Sequence, residues 1–490
     1  MAVKQQEKQP ITPNIEVNRT YLNAQLGVGS SFDVGVHELS IAGKTVLLYY
    51  INGFADSNII TQILKDLNDV KERELNDEGV INQFVQKFIP FFQIAKVKTA
   101  NEFLDKLLVG QVGMLIDGQE IGLMLDAKTL PGRQPAEPET ERIVRGAHDG
   151  FTETLVMNTV LTRRRIRDPR LRFEIKQIGN RSKTDVAIAY LKDVANPELI
   201  DKIKERIDRI DIDGIPMAEK TVEEFIIGQS WNPFPLIRYT ERPDVAAIHL
   251  LEGHVLIYVD TSPSVMITPT TYFHHVQHAE EYRQTPVIGA YLRWVRFLGI
   301  IASIILLPLW MFLVMNPHHI PESLNFLGIK ESGKIPIPVQ FIIAELGLDM
   351  LRMAAIHTPT PLATAIGLIS AILIGQIAVD VGLFAPEVIL YLSIAAVGMY
   401  ATPSYELALA NRLVRIFLII VTGIFGLPGM MAGIAFVILW LAFTRSLDTP
   451  YLWPLFPFNY KAIKNVLIRM AIPIQNTRPS IVRPKDYRRQ

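Results

Sequence analysis

The chain has 490 residues, 49% of them hydrophobic and 20% charged, and its 49 basic residues balance 49 acidic ones. This composition excludes a disordered chain, and the neutral balance gives no argument for a nucleic-acid partner. Because there is no cysteine, disulfides, thiolate metal sites and cysteine nucleophiles are excluded as well. Residues 1–291 have mixed charge, whereas 297–444 hold several long uncharged runs. The sequence therefore predicts a soluble part joined to a membrane part.

The soluble part alternates strand-like and helix-like segments. Thr45–Ile51 has the β-branched and aromatic content of a strand, and Asn58–Leu67 predicts a helix. Asp117-Gly118 is a strong hairpin turn between two short strands, Val112–Ile116 and Ile121–Leu125. A proline-rich linker at 130–139 then predicts a second subdomain. Its expected elements are a helix near Glu141–Arg163, strands at Arg172–Ile178 and Val186–Leu191, helices at Pro197–Ile210 and Val222–Gly228, and a strand pair at Ala246–Leu251 and Val255–Asp260.

Four uncharged runs in the second half predict membrane helices, since a spanning helix needs about 20 mostly apolar residues. The fourth run contains Gly426 and Pro428 and therefore predicts either a broken helix or a tight helical hairpin. A fifth candidate helix, Ile337–His357, carries charged residues. The four runs are Phe297–Met315, Leu362–Val379, Val388–Tyr405 and Ile416–Thr444.

These observations define the expected architecture, which is α+β with an α-helical membrane domain: two cytosolic α/β subdomains are followed by four to six membrane-spanning helices. No internal repeat is evident in the sequence. Residues 1–20 lack the apolar segment of a signal peptide, and basic residues near the C-terminus place both termini in the cytoplasm. The expected divisions are an N-terminal tail at 1–31, subdomains at 32–130 and 131–290, the membrane domain at 291–445 and a basic tail at 446–490.

Glu345, Asp349 and Arg352 are spaced four and three apart in the fifth candidate helix, so they share one face. Ionisable groups at membrane depth are costly and tend to mark ion paths. The spacing therefore makes these residues candidates for lining a pore. The alternative is an interfacial helix with an internal ion pair between Asp349 and Arg352.

Six arginines fall within ten residues, of which Arg163, Arg164, Arg165 and Arg167 are the candidates for a contact. Guanidinium groups can pair with carboxylates between subdomains or subunits, or with the phosphates of anionic lipid. The alternative is a solvated helix C-terminus, where cations complement the helix dipole.

Small residues in two of the apolar runs predict close helix packing within a bundle or between subunits. One stripe consists of Gly367, Ala371 and Gly375, and the other of Gly429 and Gly433.

Two further motifs are weak. Ala42-Gly43-Lys44-Thr45 is similar to the end of a phosphate-binding loop, but it precedes a strand, and Glu38 stands where that loop needs glycine. A hairpin turn is the better interpretation. His274 and His278 could share a helix face with His275 nearby, but further metal ligands are not evident and a juxtamembrane segment is favoured. Since no catalytic arrangement stands out, we expect neither an enzyme nor a cofactor.

A series of distinctive stretches runs in order along most of the chain: Pro138-Glu139-Thr140-Glu141, Arg145-Gly146-Ala147-His148-Asp149-Gly150-Phe151, Asn158, the arginine cluster with Asp168-Pro169, Pro233-Phe234-Pro235, Tyr239-Thr240-Glu241-Arg242-Pro243-Asp244, Leu251-Glu252-Gly253, Asp260-Thr261-Ser262-Pro263, and Pro361 to Gly375-Gln376. Taken together, these stretches resemble the A subunits of the GerA family of spore germination receptors. The Tyr21–Val28 stretch and the overall pattern are more similar to the family's stage V sporulation branch than to its nutrient receptors.

The resemblance implies a protein of the spore inner membrane that assembles with itself into a ring, proposed as a pentamer, around a channel for monovalent cations. A second membrane subunit would be its partner, and the channel would amplify ion release during germination. Three alternatives stay open: the A subunit of a nutrient-sensing receptor, a non-conducting membrane scaffold, and a secondary transporter. A transporter would be expected to contain inverted repeats.

Overall fold

A computed structural model describes residues 9–68, 81, 94–127, 141, 144–228, 231–319, 322–330, 333–357 and 376–489. The chain forms two compact units, each of which is taken by itself below. The first, here called the sheet unit, comprises Met1–Gln229, Tyr239–Pro269 and Pro473–Gln490. The second, the helical unit, comprises Ser230–Arg238 and Thr270–Ile472.

The first half of the sheet unit is an antiparallel sheet with helices on both faces. Alternate residues of one central strand point to opposite sides, as the twofold period of a strand requires. Leu47 and Tyr49 join the core formed with the first helix, whereas Val46 and Leu48 join the core on the other face. The strand order is β1-β2-β4-β5-β3. Its elements are α1 (Ile15–Leu26), β1 (Val34–Ile41), β2 (Lys44–Ile51), α2 (Ser57–Asn68), β3 (Ile94–Val97), α3 (Ala100–Leu108), β4 (Val112–Ile116) and β5 (Gly122–Leu125).

The second half of the sheet unit contains another five-stranded sheet, in the order β6-β7-β9-β10-β8. Its elements are α4 (Leu155–Arg165), β6 (Leu171–Ile178), β7 (Thr184–Leu191), α5 (Pro197–Asp208), α6 (Ala218–Ile227), β8 (Arg238–Thr240), α7 (Pro243–Glu252), β9 (Val255–Val259) and β10 (Val265–Thr268).

The two sheets are copies of one topology, because each places its five strands in the chain order 1-2-4-5-3. In the helix before each sheet, an asparagine side chain accepts a hydrogen bond from the backbone amide of a threonine that precedes the helix. Asn18 of α1 accepts from the Thr12 amide at 3.0 Å, and Asn158 of α4 accepts from the Thr152 amide at 2.7 Å. The expectation of no internal repeat was therefore wrong. The two copies share a few polar residues that satisfy backbone groups. Corresponding strands such as β2 and β7 bury nearly the same positions, but most of the side chains there differ in identity.

Several predicted elements are confirmed, including the strands at Thr45–Ile51 and Val186–Leu191. The Ala42-Gly43 turn joins β1 to β2, with positive φ at both residues, so the hairpin interpretation is confirmed. Ala246–Leu251 was wrongly expected to be a strand, and it lies in α7. Its missed signals are Pro243 in the first turn and the left-handed Gly253 at the end.

Two further predictions about local structure differ from the observed elements. The helix expected from Glu141 begins only at Leu155, and the described residues before it are not helical. The stretch expected to be an N-terminal tail contains α1, whose Ile15, Leu22 and Leu26 belong to the first core.

The helical unit contains α8 (Pro286–Met315), α9 (Ile337–His357), α10 (Pro386–Tyr400), α11 (Tyr405–Phe443) and α12 (Tyr460–Leu467). Among the described residues, α8 and α11 are the helices long and apolar enough to cross a membrane. Four to six spans are therefore not confirmed. The predicted run Leu362–Val379 falls almost entirely outside the described residues.

The long helix α11 folds back on itself. Gly426 has φ 64° and ψ −143°, a backbone conformation open almost only to glycine. The rings of Phe417 and Phe436 lie 5.8 Å apart, whereas a straight helix would separate them by about 28 Å. The broken run is therefore a tight helical hairpin, with halves 405–425 and 427–443 that we call α11a and α11b.

Candidate functional site

Helices α9 and α11a run antiparallel beside each other. The candidate site lies where they pack together, about halfway along α9. At one end, a Cβ on Gly423 would stand 3.1 Å from Pro338. At the other end, the Arg352 guanidinium lies over the Tyr405 ring at 5.6 Å. Glu345 lies between these two contacts, near the middle of a helix about 31 Å long. The length of α9 matches the roughly 30 Å hydrocarbon core of a bilayer.

Glu345 is the centre of a buried cluster of ion pairs. Its carboxylate lies 2.6 Å from Arg415 Nε and 2.9 Å from Arg412 Nε, and all three side chains are almost fully buried. Arg415 also donates to the Ser303 carbonyl of α8 at 2.7 Å. Glu345 thereby links α9 to α11a, and Arg415 links both of these helices to α8.

The cluster continues toward the surface of the helical unit through Asp349. This carboxylate lies 2.6 Å from Arg412 Nη1 and 2.8 Å from Arg352 Nη2. Its side chain is 27% exposed, against 1% for Glu345. The ion pair between Asp349 and Arg352, which belonged to the alternative of an interfacial helix, is present. Lining of a pore by Glu345, Asp349 and Arg352 stays a prediction.

Arg412 and Arg415 were missed by the sequence analysis, which began the fourth apolar run at Ile416. A usable signal was present. Two arginines three positions apart match two acids four positions apart on another helix, so opposite charges face each other once the helices pack antiparallel. If every group is ionised, three guanidiniums surround two carboxylates and the cluster has a net positive charge.

The arginine-rich segment in the sheet unit is divided between buried and exposed side chains. Arg163 is fully buried and lies 2.7 Å from Asp33, which precedes β1. It also donates to the carbonyls of Asp168 and Leu171 at 3.1 Å. Arg163 therefore joins the two sheets of this unit. The neighbouring Arg172 joins them too, through the Gln25 carbonyl at 2.8 Å.

The other predicted contact residues are more accessible. Arg165 binds both oxygens of Asp149 at 2.6 and 2.7 Å and is half-buried. Arg164 and Arg167 are exposed at the end of α4. A contact with another subunit or with lipid by Arg163, Arg164, Arg165 or Arg167 stays a prediction, and the exposed pair is the part of the segment that could make it.

Of the two predicted stripes of small residues, one lies among the described residues. Gly367, Ala371 and Gly375 lie outside the described residues. Gly429 and Gly433 lie in α11b beside α11a. A Cβ on Gly429 would stand 2.5 Å from the Val421 carbonyl, and one on Gly433 would stand 2.9 Å from Leu418. Only glycine allows the hairpin to close this tightly.

Two of the histidines before α8, His274 and His278, accept hydrogen bonds from nearby backbone amides. His274 is buried, and its Nδ1 accepts from the Thr271 amide at 3.2 Å. Arg238 donates to the His274 carbonyl at 2.8 Å. Burial and the Arg238 charge lower the pKa of His274 to about 3, and burial also lowers that of His275 well below its usual value. Both rings are neutral at physiological pH. His278 accepts from the Glu280 amide.

The chain is similar in sequence to several known proteins. The family model described as Bacillus/Clostridium GerA spore germination protein matches residues 20–481. Stage V sporulation protein AF of Bacillus subtilis is 51% identical over 99% of this chain and 98% of its own length. Spore germination protein KA of the same organism is 29% identical over 99% of this chain and 90% of its own.

One solved structure is also similar. The N-terminal domain of the A subunit of the Bacillus megaterium spore germinant receptor GerK3 is 27% identical, with a TM-score of 0.44, and the match covers 55% of this chain and 99% of that one. Since the family model covers nearly the whole sequence, and a relative at 51% identity covers it from end to end, the chain belongs to the GerA family of spore germination proteins.

Proposed function

We propose that this protein is a subunit of an oligomeric channel in the spore inner membrane, which releases monovalent cations and amplifies germination. The observation that carries the proposal is the ion-pair cluster around Glu345, halfway along helices of membrane-spanning length. Charged groups at such a depth are costly and are retained where they serve a path for ions. Membership of a germination family agrees with this role.

The cation path runs past Asp349, the more exposed of the two carboxylates. In the described arrangement Arg352 and Arg412 both contact Asp349, and a net positive cluster disfavours a cation beside it. This arrangement is the closed state. Opening separates Arg352 from Asp349 and leaves a partly solvated carboxylate facing the path.

A second face of α9, about 100° around the helix from the charged one, supports assembly into an oligomer. Leu346, Met350 and Met353 form an exposed apolar stripe with helical spacing. Such a stripe suits a neighbouring subunit or lipid and would be unfavourable in water. We propose that copies of this chain form the ring, with a second membrane subunit as partner and both termini in the cytoplasm.

The test is potassium efflux from liposomes that contain the purified protein, with its oligomeric state measured in parallel. Asp349→Asn is the informative variant, and Glu406→Gln is its control because Glu406 is an exposed acid near the start of α11a. We expect efflux from the native protein, a several-fold decrease in Asp349→Asn and no change in Glu406→Gln.

Two results would overturn the proposal. An oligomeric protein that passes no potassium, with or without its partner, would be a scaffold. Efflux that saturates and is coupled to a second ion would indicate a transporter.

A further inference from the structure

The segment between α11b and α12 exposes large apolar side chains next to lysines. Phe458 is 73% exposed and Tyr460 is 72% exposed, and Leu455 and Phe456 are also exposed. Four large apolar or aromatic residues exposed within six positions of the chain are unusual on a soluble surface, where large apolar patches mark interaction sites. We call the group the aromatic–lysine patch; it consists of Leu455, Phe456, Phe458, Tyr460, Lys461 and Lys464.

Helix α12 sets the geometry of the patch. The Asn459 side chain begins the helix by accepting from the Ala462 amide at 3.1 Å. The helix buries Val466 and leaves Lys461 and Lys464 exposed on one face, since residues three apart are neighbours on a helix surface. Lys464 is therefore a neighbour of both Lys461 and the exposed Tyr460 on the surface of this helix.

Arg293 of α8 fixes where α12 lies. Its guanidinium donates to the carbonyls of Asn465 and Val466 at 2.8 and 2.9 Å. Glu281 holds the same guanidinium at 2.6 Å, and both charged side chains are almost fully buried. The patch is thus fastened beside the second turn of α8, only a few residues before the apolar run that begins at Phe297.

The surface of α8 at this level has the character of a membrane boundary. Tyr291 and Trp294 are exposed there and flank the start of the apolar run. Tyrosine and tryptophan are enriched at the level of lipid headgroups, because their rings are partly apolar and partly polar. The aromatic–lysine patch therefore lies at the headgroup level of any bilayer that α8 crosses.

We propose that the aromatic–lysine patch binds the anionic phospholipid headgroups of the bilayer that α8 spans. The rings of Phe456 and Phe458 enter the boundary between headgroups and acyl chains, while Lys461 and Lys464 meet lipid phosphates. Charge selects this occupant over a second copy of the same surface, because two such patches would bring four lysines together. The inference depends on α8 crossing the membrane and not on ion conduction.

The experiment is hydrogen exchange of the full chain in nanodiscs made of neutral phosphatidylcholine or of a mixture with anionic phosphatidylglycerol. Each exposed lysine adds about 1 kcal/mol of attraction to an anionic surface, a factor of roughly five. We expect the amides of 455–467 to exchange several-fold more slowly in anionic discs. Lys461→Gln with Lys464→Gln should remove that difference.

The matched control is Lys98→Gln with Lys183→Gln, which removes the same charge from exposed positions in the sheet unit. We expect this variant to keep the full lipid effect at 455–467. Phe456→Ser with Phe458→Ser should speed exchange in both kinds of disc.

Equal protection in neutral and anionic discs would overturn the proposal. So would protection that depends on protein concentration, which would indicate a second copy as the occupant. A third contrary result is a lipid effect at 455–467 that persists in Lys461→Gln with Lys464→Gln.

Discussion

Glu345 on α9 and Arg415 on α11a form an ion pair 2.6 Å long, in which both side chains are about 1% exposed. A buried pair of this kind contributes little net stability over apolar packing, because both charges lose their hydration. Removing one partner is different, since it strands the other charge. The pair is therefore better suited to fixing how three helices pack than to stabilising each helix.

We predict that Glu345→Gln, which leaves the buried Arg415 without a carboxylate, destabilises the protein by roughly 3–5 kcal/mol. Arg415→Gln should cost less, because Arg412 still pairs with Glu345. The double variant should lose much less than the sum of the two. Thermal unfolding in detergent, arranged as a double-mutant cycle, measures the coupling. The same cycle on the exposed pair of Glu205 and Arg209 should give no more than about 0.5 kcal/mol. Additive losses at Glu345 and Arg415 would show that the two side chains do not interact.

The buried pair between Asp33 and Arg163 makes a parallel prediction for the sheet unit. Asp33→Asn leaves the Arg163 guanidinium buried without its carboxylate, so we expect a loss of about 3–5 kcal/mol. Amide exchange in β1 and β6 should accelerate together, because Arg163 joins the two sheets. Glu38→Gln, which breaks the exposed pair with Arg19, is the control. Faster exchange in β1 alone would mean that the pair does not couple the sheets.

The hairpin in α11 can be tested by cross-linking, and the native chain offers a clean background because it has no cysteine. Phe417→Cys with Phe436→Cys should react efficiently with a short bifunctional thiol reagent. The control, Phe425→Cys with Thr444→Cys, has the same sequence separation but joins the tip of the hairpin to its base. Equal reaction of both pairs would rule out the reversal at Gly426.

Acid should loosen the segment around His274. Its pKa is lowered from 6.5 to about 3 in the folded protein, so between these values the unfolded chain binds a proton that the folded chain does not. The contribution of His274 to the free energy of unfolding therefore decreases as the pH falls below 6.5. Near pH 5 the decrease is about 2 kcal/mol. Exchange at 271–278, corrected for intrinsic rate, should report the opening. His274→Gln keeps an acceptor for the Thr271 amide and should remove the His274 share of this pH dependence, leaving the share of His275, whose pKa is also lowered by burial. An unchanged profile would contradict the assignment.

Local patterns in the sequence predicted most of the strands and the turn at Ala42-Gly43, because alternation and glycine preferences act over a few residues. They failed where the deciding contact is distant. Arg412 and Arg415 belong to the site only because α9 packs beside α11a, more than sixty residues away in sequence.

The internal repeat was missed for a related reason. Asp117 after β4 accepts from the Ile15 amide, and Asp260 after β9 accepts from the Leu155 amide. Each aspartate satisfies the first turn of a helix about a hundred residues earlier. Such matches are a few polar positions among differing apolar ones, so they become visible only when the two sheets are compared in three dimensions.

The central claim is that this GerA-family chain conducts monovalent cations, and electrical recording across a planar bilayer tests it most directly. Purified oligomeric protein, with its membrane partner present, should give a current under a potassium chloride gradient. Its reversal potential should lie near the potassium equilibrium potential and move toward zero in Asp349→Asn. A silent bilayer, or a reversal potential near that of chloride, would contradict the account.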